Sequence, residues 1–106
     1  MEISDIYVHD GKLLRVVEDL VQEKIMMAVM LLSSPTSDEF VPRNLIFEDV
    51  YGYQIFEGRV DGCPTKLDLS VVETSGKWSC VRLDTNHGYR ELYCTEVRVC
   101  DPNSSP

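Results

Sequence analysis

Two histidines are the first place to look for chemistry. His9 and His87 each stand in a polar turn signal, with Asp10 beside the first and Asp84 close to the second. An imidazole next to a carboxylate makes an acid–base pair or half of a metal site. If the two turns share one end of a sheet, His9, Asp10, Asp84 and His87 form a ligand cluster. That cluster would sit at the mouth of a small-molecule-binding β-barrel or a minor enzyme. The competing reading is turn chemistry, because Asp tolerates tight turns and His is enriched at positive φ. No pair of these residues has the i, i+4 spacing of a helical metal site, and turn chemistry is the preferred reading.

The thiols carry a similarly bland expectation. Cys63, Cys80, Cys94 and Cys100 include no C-x-x-C pair, so they do not spell a structural zinc site. A hairpin turning at His87 would put Cys80 almost opposite Cys94, where oxidation could join them. Small buried core residues are the preferred reading. Neither a Gly-rich phosphate loop nor a G-x-S-x-G elbow occurs. The adjacent acids Glu18-Asp19, Asp38-Glu39 and Glu48-Asp49 would point to opposite faces of a strand, so neither member can assist the other on one substrate. The expectation is a non-enzyme with no catalytic residue, no metal and no cofactor.

Aromatic residues offer contact rather than catalysis. Tyr51, Tyr53, Phe56, Tyr89 and Tyr93 could line a cavity, pack across strands, or form a protein-binding face, since Tyr is enriched at interfaces. Trp78, the only tryptophan, alternates with Cys80 and Arg82, while Val81 and Leu83 take the other face. This puts Trp78 on the more polar side, partly exposed. Trp78, Tyr51 and Tyr53 are therefore the expected interaction surface.

The elements that would position these residues read as strands. Ile6-Tyr7-Val8 is a β-type run ahead of the Asp10-Gly11 turn, and a second strand runs back from Leu13. Lys12 to Leu32 is ambiguous: Leu13, Val17, Leu20, Met27 and Leu31 make a possible helical stripe, but Lys24 falls on it and no glycine caps it. Two strands joined by Asp19 to Lys24 are preferred. Ser33 to Glu39 is a loop by composition, and Arg43 to Val50 is a strand whose charges discourage edge pairing. Tyr51-Gly52-Tyr53 marks a bend, and Arg59 to Pro64 a turn. Leu67 to Val71, Trp78 to Asp84 and Tyr89 to Val99 alternate as half-buried strands. Residues 1–100 thus form a single all-β domain, an antiparallel sandwich or small barrel of about 6–8 short strands, followed by a flexible tail over 101–106.

Composition narrows the partners. The chain has 106 residues, 43% hydrophobic and 26% charged, as in an ordinary globular domain. With 18 acids against 10 bases its net charge is -8, which excludes nonspecific phosphate binding and disfavours anionic membranes. The acidic start Met1 to Asp5 lacks the pattern of a secretory signal, and the longest apolar run, Ile25 to Leu32, is far short of a span. The expectation is a cytoplasmic protein with free thiols, no nucleic acid and no membrane.

Four stretches carry a resemblance: Asp5-Ile6-Tyr7-Val8-His9-Asp10-Gly11, Leu45-Ile46-Phe47-Glu48-Asp49-Val50, Val81-Arg82-Leu83-Asp84-Thr85, and Gly88-Tyr89-Arg90-Glu91-Leu92 running on to Val97. In these the chain resembles uncharacterised small bacterial β domains, among them immunity-protein-like families of toxin systems. The resemblance implies a cytoplasmic, non-enzymatic protein whose partner is another protein. It supplies no catalytic set. With the charge balance, it leads to an acidic binding domain, with a homodimer as a further possibility if a sheet face or edge needs covering.

Overall fold

A computed structural model describes residues 6–59 and 61–102. The expectations for Met1 to Asp5, and for the tail beyond Pro102, lie outside the described residues. Eight strands are present: β1 Lys12–Asp19, β2 Lys24–Leu32, β3 Phe40–Glu48, β4 Tyr51–Glu57, β5 Asp68–Ser75, β6 Trp78–Thr85, β7 Gly88–Cys94 and β8 Glu96–Cys100. They form two four-stranded antiparallel sheets, ordered β1-β2-β3-β8 and β4-β7-β6-β5. The sheets pack as a sandwich, not a closed barrel. The principal axes span 37 × 31 × 24 Å.

The helical alternative for Lys12 to Leu32 does not form. Alternation decides the matter in β2, where Ile25, Met27, Val29 and Leu31 are all buried and the residues between them are half-buried. A period of two with apolar residues on both faces cannot be served by a helical stripe. Leu20, a member of that stripe, instead sits in the β1–β2 turn beside Val21, and among the described residues these two are the most exposed large apolar side chains. Asp19 holds this turn by accepting hydrogen bonds from the Val21 and Gln22 N–H groups at 3.1 and 3.0 Å.

Two other elements differ from expectation. Ile6-Tyr7-Val8 alternates buried, exposed, buried, but pairs with no strand among the described residues. It inserts Ile6 and Val8 into the core and then turns at Asp10, whose φ is 61°. Gly11 follows because a Cβ there would come within 2.9 Å of Leu31 Cδ2 and of the Val8 and Met30 carbonyls.

The second difference is the long strand expected over Tyr89 to Val99, which breaks at Thr95. Before the break the even-numbered Leu92 and Cys94 face the core; after it Val97 does. The parity switch carries the chain from one sheet to the other. β3 and β4 make the same crossing alongside, through Asp49 at φ 54°. Thr95 ties the two crossings together, its hydroxyl donating to Asp49 Oδ2 at 2.6 Å and its N–H to the Glu48 carbonyl at 3.1 Å.

The core between the sheets is built around Phe47, Ile25, Met27, Leu45, Leu67, Val81 and Val97. Arg90 of β7, in register with buried Leu83, brings a charged group to the inner side of its sheet. The guanidinium makes a bidentate pair with Glu57 at 2.9 and 2.7 Å and donates to the Tyr53 hydroxyl at 2.9 Å. The Arg90 and Glu57 side chains are only 15% and 11% exposed, so the pair is largely removed from water. That carboxylate holds the Arg90 guanidinium in its charged form, above its ordinary pKa.

Candidate functional site

The outer side of the β4-β7-β6-β5 sheet carries an aromatic and charged face. Register sets its rows. Tyr93 of β7 lies between Tyr51 of β4 and Cys80 of β6; Glu91 lies between Gln54 and Arg82; Tyr89 lies between Phe56 and Asp84. The inward partners on the same strands are Val81, Leu83, Leu92 and Cys94, which is why the other set faces solvent.

The side chains interlock along these rows. Tyr51 stacks on Tyr93 with ring centroids 4.8 Å apart and meets Trp78 edge-on at 5.1 Å. Lys77 Nζ lies 5.3 Å from the Trp78 ring centroid. Arg82 donates twice to Glu91, at 2.9 and 2.6 Å, and covers the Tyr89 ring at 4.2 Å. Phe56 packs on Tyr89 at 4.9 Å. Trp78 is half-buried, whereas Tyr51 and Phe56 remain about half exposed, at 50% and 48%.

Carboxylates flank this strip. Asp68 of β5 stands directly opposite Asp84 of β6, and Glu73 stands opposite Cys80. Like charges in register on one face are destabilising. Arg82, the nearest cation in the ladder, is already committed to Glu91.

The residues singled out in the sequence fall in different places. Trp78 and Tyr51 belong to the aromatic strip. Tyr53 does not: it packs against the core, with its hydroxyl accepting from Arg90. The bulge between Tyr51 and Gln54, with Gly52 at φ 65°, turns Tyr53 inward. Arg82 lies on the Trp78 face as expected, while Glu91 and Asp68 join the strip unforeseen. Their signal was cross-strand register, which only correct turn lengths reveal.

His9 and Asp10 pair weakly at 3.5 Å on an exposed turn. Asp84 sits on the outer sheet face beside Tyr89. His87 lies in the β6–β7 turn, where its N–H donates to Thr85 Oγ1 at 3.0 Å and its carbonyl accepts from Gly58. Its Nε2 is buried without a partner. Among the described residues no hydrogen bond or ion pair joins the first pair to the second, and no three His, Cys, Asp or Glu side chains gather as metal ligands. His9, Asp10 and His87 occupy turns, and Asp84 a strand.

The thiols are also separated. Cys94 pairs with Ser79, and Cys80 with Tyr93, so Cys80 faces outward while Cys94 faces the core. A Cys80–Cys94 disulfide is therefore ruled out, because adjacent positions on a strand project to opposite faces. Burial, aided by the Glu91 charge, raises the Cys80 thiol, and burial pushes the Cys94 thiol up to about 11. The thiolate is the reactive species, so these two should be inert. Native protein treated with Ellman's reagent should show Cys63, which is exposed, reacting first and half-buried Cys100 more slowly. Cys80 and Cys94 should react only after denaturant is added. Four equal rates without denaturant would contradict this arrangement.

Compared with protein-family models, with curated proteins and with solved structures, the chain matches none of them. Among the described residues no helix is long and apolar enough to cross a membrane.

Proposed function

We propose that this chain is a non-catalytic, acidic cytoplasmic domain that binds a basic protein through the outer face of β4-β7-β6-β5. The observation that carries the reading is the exposed strip of Tyr51, Tyr93, Trp78, Tyr89 and Phe56, flanked by Asp68, Asp84 and Glu73. Aromatic side chains are the usual anchors of protein interfaces and bury large areas at low entropic cost. The opposed Asp68 and Asp84 cost the free domain stability. A cationic partner would relieve that repulsion, and departures from good sheet design concentrate at functional sites. A net charge of -8 would also speed encounter with a positively charged surface. Neutralisation of a basic bacterial toxin, as immunity proteins do, is the specific role that fits these properties.

The test compares wild type with Trp78→Ala and Tyr51→Ala as immobilised baits in bacterial lysate at low and high salt. A basic protein should bind wild type and elute as salt rises. Truncating either anchor should weaken it by about 2 kcal/mol, roughly 30-fold. Addition of the eluted protein to free domain should blue-shift Trp78 emission and shield it from acrylamide. Capture that ignores both substitutions and salt would sink the proposal.

A further inference from the structure

The opposite outer face, that of β1-β2-β3-β8, has a different chemistry. Register places Val17, Met26 and Ile46 in one row, Ala28 beside Asn44 in the next, then Met30 beside Pro42, then Leu32 beside Phe40. A shallow groove of about 310 Å³ runs over Val17, Met26 and Ile46. Val17 and Phe40 are 42% and 37% exposed, while Met26, Ala28, Met30 and Leu32 are half-buried. A continuous row of half-covered apolar side chains, closed beneath by buried Ile46 and open at Val17 and Phe40, marks an interaction site rather than ordinary scatter.

Charge decides what can cover it. Lys12, Arg15, Lys24 and Arg98 share this face with Asp19, Glu48 and Glu96. Its acids are largely compensated. Arg98 and Lys24 both hold Glu48, at 2.6 and 3.5 Å, and Asp19 accepts the two backbone N–H groups of its own turn. The face thus carries no net negative charge, in a chain whose net charge is -8. Two copies of this protein repel each other over most of their surface, and Asp68, Asp84 and Glu73, which have no ion-pair partner among the described residues, would oppose docking through the aromatic side. Here that repulsion is absent, apolar residues occupy the centre, and charges of both signs stand at the margin. That is the composition of an interface core and rim.

We infer that the chain forms a symmetric dimer by packing this face against the same face of a second copy, with Met26, Ala28 and Met30 near the centre. A two-fold contact uses one patch twice, so a locally neutral patch with its own cations and anions can be self-complementary. The small Ala28 side chain permits close approach of the facing sheets, which stack about 10 Å apart. The arrangement leaves both aromatic strips pointing outward, so each dimer would present two copies of the other face.

Sedimentation equilibrium from micromolar to millimolar concentration tests the dimer directly. The mass should rise from 12.1 kDa to twice that value, and added salt should strengthen association by screening the long-range repulsion. Salt acts in the opposite sense on a basic partner, so the two surfaces are told apart. Ala28→Glu and, independently, Met30→Glu should each weaken the dimer by roughly a hundredfold while the circular dichroism stays unchanged. Tyr51→Ala should leave it intact. A monomer at millimolar concentration in high salt overturns the inference. So does a dimer indifferent to both glutamates or lost in Tyr51→Ala, whether or not any basic protein is ever found.

Discussion

Gly88→Ala is expected to leave the chain largely unfolded. Gly88 opens β7 at a φ of 143°, and a Cβ there would overlap the backbone carbonyl oxygen of Phe56 and approach Glu57 Cα to 3.0 Å. The obstruction is backbone on both counts, so no rotamer change relieves it. Gly88 also pairs with Thr85 on one side and Glu57 on the other, at the point where the β6–β7 hairpin turns and β4 joins it. Relief therefore requires moving β4 away from β7, which pulls Glu57 from Arg90. A strained φ alone costs about 1–3 kcal/mol, and the lost ladder and ion pair add to it. A domain of this size has about 5–15 kcal/mol in total. Gly76→Ala is the matched control: φ is 61° there, but nothing lies within 4 Å of the added methyl. It should cost about 1 kcal/mol. Soluble yield and urea unfolding of the two variants measure the contrast. Similar midpoints would mean that the close approach at Gly88 is not a constraint on the fold.

How much of this was legible in the sequence depended on parity. Alternation in Trp78 to Asp84 put Val81 and Leu83 on the inward face, whereas Ile25 to Leu32 is apolar throughout and reads as a buried strand without showing which face is inward. The β6–β7 hairpin was read one residue out of register. Taking His87 as its centre paired Cys80 with Cys94, whereas a two-residue turn of Asn86 and His87 pairs Cys80 with Tyr93. A slip of one residue reverses a side chain's face, and it was enough to hide the Arg82–Glu91 pair and the meeting of Asp84 with Tyr89. The break at Thr95 was hidden for a related reason. The residues on both sides alternate well, and only the change of parity between Cys94 and Val97 marks the crossing. Tyr51 of β4 meets Trp78 of β6 across β7, which pairs with both strands, a contact between strands far apart in sequence. Local pattern carries no record of such a meeting.

Glu57→Gln, although isosteric, should be strongly destabilising. Glu57 and Arg90 were not prominent in the sequence, since each looks like a solvated charge on an ordinary strand. In the structure Arg90 lies on β7 opposite Ile55, with buried Leu83 beside it on β6, and Glu57 meets it with two parallel hydrogen bonds. Glutamine preserves the volume and one acceptor oxygen but removes the counter-charge. The guanidinium cannot shed its proton, so it would remain as an uncompensated cation in a poorly solvated place. Breaking such a pair costs about 3–5 kcal/mol, a large part of the whole stability. Tyr53→Phe removes only one neutral acceptor from the same group and should cost about 1 kcal/mol. The double variant Glu57→Leu with Arg90→Met should be more stable than Glu57→Gln, because it removes both charges and fills the space with apolar atoms. Urea unfolding midpoints give the order: wild type and the double variant above Tyr53→Phe or close to it, and Glu57→Gln well below. If Glu57→Gln lost less than about 1 kcal/mol, the pair would behave as a surface ion pair. The order of the three variants therefore reports whether the sandwich closes over Arg90 in solution.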